Sequence, residues 1–133
     1  MSRDDRGQIT VMTVGFFVFL GLLVVVVVNA SAAYLQRQSL NNLADGAALA
    51  AADALSQKTF YEQGTVELDP REARQAVAEY VAGDGVRVVR VDADGDAVHV
   101  RLERDVDLAL APPGWTSGTT IVSEATSQLR LGD

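Results

Sequence analysis

Residues 8–36 carry no charged side chain, and residues 9–28 form an almost unbroken apolar run. About twenty residues in an α-helix, at a rise of 1.5 Å each, extend ~30 Å, which is the thickness of the hydrocarbon core of a bilayer. The sequence therefore predicts a transmembrane helix over residues 9–29. It also predicts a short cytoplasmic N-terminus, residues 1–8, and an extramembrane remainder that works at or beyond a membrane surface.

A cleaved signal peptide is the alternative interpretation of this segment, because Arg3 and Arg6 precede it and residues 30–32 (Ala-Ser-Ala) fit a cleavage site. Signal peptides, however, have an apolar core of roughly 7 to 15 residues, which is shorter than this run. The helical pattern also continues through Tyr34 without a helix-breaking residue. We therefore expect the segment to be retained as an anchor.

The basic residues around the span predict its orientation. Arg3, Arg6 and the amino terminus precede it, whereas Arg37 and the more distant Lys58 follow it. The flank richer in Lys and Arg usually stays in the cytoplasm, and here the bias is small. We expect a single-pass protein of the cytoplasmic membrane, with its N-terminus inside and its C-terminal domain outside.

The helical pattern does not end at the membrane boundary. Residues 30–56 are rich in Ala and Leu and lack Pro, so one continuous helix over about residues 8–56 is predicted, with Gly46 as the candidate for a kink. Apolar residues recur there at alternating spacings of three and four, which is typical of a packing seam. Small seam residues allow a neighbouring helix, or the protein's own sheet, to approach closely. The predicted helix-packing interface comprises Leu40, Leu43, Ala47, Ala50 and Ala54.

Residues 57–133 are expected to form one small α+β domain outside the cytoplasm. Residues 57–68 lack periodicity and indicate a connection. A second helix then starts with Asp69 as N-cap, Pro70 at the first helical position and Glu72 in the capping-box position. The residues of its predicted apolar face are Ala73, Val77, Tyr80 and Val81, and those that end it are Gly83 and Gly85.

The hydrophobic period changes from 3.6 to 2 in the last part of the chain, which indicates β-strands. We predict a first strand over residues 86–92 and a hairpin turn centred on Asp94-Gly95. A second strand follows the alternating apolar residues from Val98 to Leu110, and a last strand covers residues 119–131. Arg104 interrupts an otherwise apolar inner face. A three- to four-stranded antiparallel sheet, covered on one face by helix, follows. The residues expected to face inward are Val98, Val100, Leu102, Val106, Leu108, Leu110, Ile121, Ala125, Leu129 and Leu131.

Charge and cysteine content exclude several classes of function. After Arg37 the chain has 8 Lys or Arg and 16 Asp or Glu, a net charge of about −8. Such a domain is repelled by phosphate backbones, so we expect no nucleic-acid partner. Because the chain has no cysteine, disulfides, thiolate metal sites and thiol nucleophiles are excluded.

No catalytic or metal-binding motif stands out. His99 falls on the predicted solvent face beside two cations, Arg90 and Arg101, and so lacks a partner for general acid/base chemistry. The Asp92, Asp94 and Asp96 series differs from a calcium loop in its glycine spacing and in its flanking strands, and indicates a hairpin turn. We expect a protein that is not an enzyme and that uses no cofactor or metal.

Trp115 lies in a loop rich in Pro and Gly. It either caps the edge of the sheet or stands exposed as an anchor for a partner. Capping is the favoured interpretation.

Two stretches of the N-terminal region carry a family resemblance. Arg6-Gly7-Gln8 precedes the apolar run, and residues 34–52, YLQRQSLNNLADGAALAAA, follow it. This arrangement resembles the TadE/TadG-like family of Flp (tight adherence, Tad) pilus assembly proteins. The resemblance implies a non-enzymatic, pilin-like component of a Tad or type IV-like pilus or secretion apparatus. Its partners would be the membrane and other pilus assembly subunits, or further copies of the chain.

One position departs from the pattern of type IV-like prepilins, which are cut after a Gly and carry Glu at the fifth mature position. A cut between Gly7 and Gln8 would place Met12 there. An ammonium group inside the membrane without a carboxylate partner is costly, so cleavage at Gly7 is disfavoured. We expect an unprocessed anchor or minor component. The alternative function is a membrane-tethered extracytoplasmic binding domain unrelated to pili.

Overall fold

The computed structural model describes residues 3–61, 69–94, 96–111, 114 and 118–128. The predicted α+β class, with a long N-terminal helix, a short second helix and an antiparallel sheet, is confirmed. Within the described residues the sheet has three strands. In chain order the elements are helix α1 (Arg3–Tyr61), helix α2 (Pro70–Tyr80) and strands β1 (Arg87–Asp94), β2 (Ala97–Val106) and β3 (Thr119–Gln128).

Helix α1 runs without interruption from Arg3 to Tyr61, so Gly46 does not break it. The predicted end at Ser56 is too early. Residues 57–61 contain neither Pro nor Gly, and loss of apolar periodicity alone does not stop a helix whose residues have adequate propensity. The rest of the predicted connection, residues 62–68, lies outside the described residues.

The start of helix α2 confirms the predicted cap. The carboxylate of Asp69 accepts a hydrogen bond from the backbone N–H of Arg71 at 2.9 Å, and its backbone carbonyl accepts one from Glu72 N–H at 3.1 Å. Pro70 occupies the first turn, where its missing N–H has no cost. After the helix, Gly83 and Gly85 adopt positive φ values of 90° and 64°, which turn the chain back toward β1.

The sheet is an antiparallel meander in the order β1-β2-β3. Strand β1 has a bulge between Val88 and Arg90. The predicted hairpin is present, but its centre is displaced. Asp94 pairs with Ala97 inside the ladder and has no positive φ, so it is the last residue of the strand and not a central turn residue. The sequence pattern does not determine the centre of the turn, because a glycine fits either of the two central positions of a hairpin turn.

The inner face of β2 follows the predicted alternation, and Val98, Val100 and Leu102 are buried. Leu108 and Leu110 are exceptions, because both lie beyond the end of β2 and are exposed. Val106 pairs with Thr119, the first residue of β3, so within the residues that the structure describes the ladder ends at this pair. The predicted inward positions Leu129 and Leu131 lie outside the described residues.

The core forms where the second half of α1 meets α2 and the inner face of the sheet. Helix α1 packs on β2, β3 and α2, and α2 packs on β1. Ser123, the buried polar residue of β3, donates a hydrogen bond to Asn41 Oδ1 at 2.6 Å. This hydrogen bond fixes the position of the sheet along the axis of α1.

Candidate helix-packing site

The first half of α1, which contains the apolar run of residues 9–28, exposes nearly all of its apolar side chains. Its most apolar window has a mean hydropathy of 3.0, and none of that window is buried against the rest of the protein. Within the described residues this is the helix that is long and apolar enough to cross a membrane. Water disfavours such a continuous apolar surface. The exposed large side chains include Val11, Val14, Phe16, Phe17, Phe19, Leu22, Leu23 and Val26.

The backbone and hydroxyl groups of this half suit a lipid environment. An α-helix satisfies its own backbone polar groups, which a bilayer core requires. The hydroxyl of Thr13 donates to the backbone carbonyl of Ile9 at 2.8 Å, so it presents no free donor to lipid. The first half of α1 therefore has both the composition and the hydrogen bonding of a membrane span.

The second half of α1 buries small side chains against the protein's own domain. Five of the seven buried residues are alanines, and they let the sheet and α2 approach the helix backbone closely. This surface accounts for most of what α1 contributes to the core. The buried residues are Leu40, Ala44, Ala47, Ala48, Ala51, Ala52 and Leu55.

The predicted packing seam overlaps this surface only in part. Leu40 and Ala47 are fully buried in the core. Leu43 and Ala50 are half-buried, and Ala54 is exposed. Alanine covers more than half of the circumference of the helix between positions 44 and 54, so periodicity alone could not identify which part of that arc is buried. Contact of the seam with another subunit stays a prediction, for which Ala50 and Ala54 are the surface that the domain leaves open.

Gly46 has a packing role that the sequence did not reveal. A Cβ at this position would lie 2.7 Å from Cζ and 2.9 Å from Cε1 of Tyr80, far closer than carbon atoms approach. Tyr80, on α2, therefore rests its ring directly on the backbone of α1. This contact explains a glycine in the interior of a helix, where it costs about 1 kcal/mol relative to alanine.

A second unforeseen contact ties the loop after β2 to helix α1. Asn29 Nδ2 donates to the backbone carbonyl of Leu110 at 2.7 Å, and the backbone N–H of Leu110 donates to Asn29 Oδ1 at 2.8 Å. The two residues are far apart in sequence, so no local pattern could predict this pair. Asn29 directly follows the apolar run.

The outer face of the sheet carries paired charges. Arg101 bonds to Glu124 at 2.8 Å, and Arg90 pairs with Asp92. His99 lies 2.8 Å from the hydroxyl of Thr126 through its Nδ1. These side chains line an open depression of about 200 Å³. Each cation here has an anionic partner, so the depression has no unpaired charge to attract a ligand of one sign.

The other candidates from the sequence are metal-binding residues, the disfavoured cleavage site and a partner anchor. Among the described residues no three His, Asp or Glu side chains converge in a way that could hold a metal ion. Gly7 and Gln8 lie inside α1, and Met12, at the family's glutamate position, is 78% exposed. Trp115 lies outside the described residues. Cleavage at Gly7 and the role of Trp115 stay predictions.

Residues 7–54 match the Tad family model, whose description is "Putative Flp pilus-assembly TadE/G-like". No curated protein and no solved structure matches the chain. The family match begins before the exposed apolar half of α1 and ends within its buried alanine-rich half, and it does not reach α2 or the sheet. It confirms the resemblance predicted from the N-terminal sequence and supports membrane anchoring and a pilus-related role. The helix of this chain that spans both packing surfaces is thus similar to the Tad pilus-assembly family.

Proposed function

We propose that this protein is a non-enzymatic, membrane-anchored component of a Tad or type IV-like pilus or secretion apparatus, acting as a minor pilin-like or anchor subunit. The observation that carries the proposal is the family match over residues 7–54, which covers both the exposed apolar surface and most of the alanine-rich surface of one helix. The function is mechanical. Helix α1 holds the domain at the membrane and packs laterally against other subunits, while the small domain docks on assembly partners.

Capture of partners tests this role. The full chain, extracted from membranes in mild detergent, should co-purify with a membrane ATPase and prepilin-type subunits of the same cells. Ala54→Leu should reduce this capture without altering the fold. Ala54 is exposed in the single chain, so a larger side chain there disturbs a contact with another chain and not the core. Capture that is absent for the unaltered chain, under conditions where the apparatus itself is recovered, would contradict the proposal.

The anchor is proposed to be retained and unprocessed. The apolar run has no carboxylate to pair with a new amino terminus, and such an unpaired ammonium in lipid is costly. Protein extracted from membranes should therefore begin at or near Met1 or Ser2. A start at Gln8 would identify a processed pilin, and a start near Ala33 would identify a cleaved signal peptide.

Met12→Glu sharpens this test, with Met12→Gln as the matched uncharged control. The carboxylate should promote processing or lateral assembly, whereas the amide should not, because only a charged partner neutralises an ammonium. Mature N-termini and the amount of filament-associated protein give the readout. An equal response to both changes would show that charge at this position does not govern processing.

The proposed orientation places the N-terminus in the cytoplasm and the domain outside. Because the chain has no native cysteine, single replacements report topology without background. Thr119→Cys, at an exposed position of β3, should react with a membrane-impermeant maleimide in intact spheroplasts. Ser2→Cys should react only after lysis. The reverse pattern would invert the proposed topology.

A tethered binding domain unrelated to pili is the second candidate. The depression on the outer face of the sheet, lined by Arg90, His99 and Arg101 among others, is the observation that favours it. A small ligand that raises the unfolding temperature of the detergent-solubilised protein, and loses this effect in Arg101→Ala, would support this function. The ion pairing of these side chains counts against a charged ligand in the depression, whereas the family match over residues 7–54 supports the pilus role.

A further inference from the structure

The hydrogen bonds between Asn29 and Leu110 set the position of the loop after β2 relative to the membrane. Asn29 follows the last apolar residue of the span, Val28. Leu110 is bound to it through both its N–H and its carbonyl. Residues 107–111, which we call the β2 loop, therefore lie beside α1 at the level where its apolar run ends.

The hydrogen bond between Ser123 and Asn41 shows how far along α1 the β2 loop lies from the middle of the sheet. Ser123 of β3 is bonded to Asn41 and pairs with Leu102 of β2. Leu102 therefore lies near Asn41 of α1. Strand β2 continues from Leu102 to Val106, and four residues further along the chain Leu110 is bonded to Asn29. At 1.5 Å per residue, Asn29 lies ~18 Å below Asn41 along the helix. The end of β2 and its loop thus form the membrane-facing end of the domain.

The chemistry of the β2 loop fits the boundary between lipid headgroups and acyl chains. Leu108 and Leu110 are exposed apolar side chains, and Ala109 and Ala111 flank Leu110. A non-helical backbone near hydrocarbon needs its polar groups satisfied, and the side chain of Asn29 does this for both groups of Leu110. The exposed carboxylate of Asp107 would keep the start of the loop at the aqueous side.

We infer that the β2 loop is a second membrane contact, with Leu108 and Leu110 inserted into the interfacial region of the leaflet nearest the domain. The partner is bilayer lipid. Because the domain is packed on α1, helix and domain turn as one unit. The two contacts, span and loop, together restrain rotation of that unit about the long axis of α1 and fix which side of the domain faces the membrane plane. The inference rests on α1 spanning the membrane as proposed above, and does not depend on which apparatus the protein serves.

Fluorescence quenching by brominated lipid tests the loop directly. The chain has one tryptophan, so a Trp115→Phe background allows single reporters at chosen positions. The full chain is reconstituted in three kinds of phosphatidylcholine vesicle: without bromine, with bromine atoms on the acyl chains near the glycerol, and with bromine atoms near the ends of the acyl chains. Zwitterionic lipid is used because the domain is acidic and anionic headgroups would repel it. Circular dichroism and the unfolding temperature verify that each variant is folded.

Three reporters separate the outcomes. Val18→Trp, at the middle of the span, should lose emission in vesicles brominated near the chain ends, which shows that α1 is inserted. Leu110→Trp should lose emission in vesicles brominated near the glycerol and shift to shorter wavelength. Val89→Trp, at the exposed bulge of β1, is the matched control on the same domain and should be unaffected, since neighbouring Val88 pairs with Leu102 at the level of Asn41.

Quenching of Val18→Trp without quenching of Leu110→Trp would overturn the loop contact and leave the anchor intact. Equal quenching of Leu110→Trp and Val89→Trp would also overturn it, because the domain would then contact lipid without preference for the β2 loop. An unquenched Val18→Trp would refute the membrane span and, with it, the loop contact. Leu108→Trp provides a second loop reporter if Leu110→Trp does not fold.

Discussion

The two halves of helix α1 share one secondary structure and differ in what surrounds them. Residues 9–28 carry large Val, Leu and Phe side chains that the rest of the protein leaves exposed, whereas residues 40–55 bury mostly alanine. Fluid lipid can fill the space around large side chains on any side of a helix. A folded sheet cannot, and its close approach requires small residues on one side. The neighbour of each half therefore determines the size of its side chains.

The segment between the two halves connects the two environments. Asn29 closes the apolar run and holds the β2 loop, and Arg37 is the first charged residue beyond it. Asn41 then carries the bond to Ser123 of the sheet. Polar contacts, spaced along α1 where lipid gives way to protein, thus define how the domain sits on its anchor.

Leucine truncation in each half gives the largest expected difference. Leu40 is 0% exposed and Leu22 is 61% exposed. Leu40→Ala should lower the free energy of unfolding of the domain by about 2–5 kcal/mol, because it leaves a cavity in the core. Leu22→Ala should change it by less than about 0.5 kcal/mol, the usual range away from the core. Urea unfolding of the full chain in detergent micelles, followed by circular dichroism, measures both. Equal losses would mean that the two halves of α1 do not differ in this way.

Enlargement of alanine tests the close approach of the sheet. Ala47→Leu, at a fully buried position, should cost about 1–3 kcal/mol through overpacking. Ala54→Leu, at an exposed position of the same predicted seam, should leave the unfolding free energy nearly unchanged and affect only partner capture. If both variants unfold and capture partners like the unaltered chain, neither surface is closely packed.

The contact between Gly46 and Tyr80 is best tested with a double-mutant cycle. With Tyr80 present, Gly46→Ala gains helix propensity but displaces the tyrosine ring from the backbone, so we expect no net stabilisation. In a Tyr80→Ala background the same change should stabilise the domain by about 1 kcal/mol, the propensity difference alone. An identical effect of Gly46→Ala in both backgrounds would mean that the ring does not restrict this position.

Local chemistry accounts for what could be predicted from the sequence. The Asp69-Pro70 cap, the helix over the apolar run and the alternation of Val98, Val100 and Leu102 each depend on residues close in the chain, and all three are confirmed. The contacts of Asn29 with Leu110 and of Gly46 with Tyr80 depend on how distant elements pack. A single asparagine and a single glycine form no sequence pattern that predicts such partners. These contacts of the candidate site could therefore be identified only from the structure.

The buried side of α1 shows the same limit in a different form. A helix with apolar residues on one face alone reveals its core side through periodicity. Here alanine fills positions 44, 47, 48, 50, 51, 52 and 54, and several lines of spacing three and four fit equally well. The sheet and α2 select one of them, and this choice is a property of tertiary packing.

The smallest effects are expected on the outer face of the sheet, which neither half of α1 contacts. His99 is exposed and bonded across the strand pair to Thr126, and Asp94 lies at the exposed end of β1 without positive φ. The double change His99→Ala and Asp94→Asn removes one exposed hydrogen bond and one solvated charge. It should lower the unfolding free energy by no more than about 1 kcal/mol and leave partner capture intact. Loss of capture with an unchanged unfolding curve would place a functional site on the sheet and remove α1 as the main determinant of assembly.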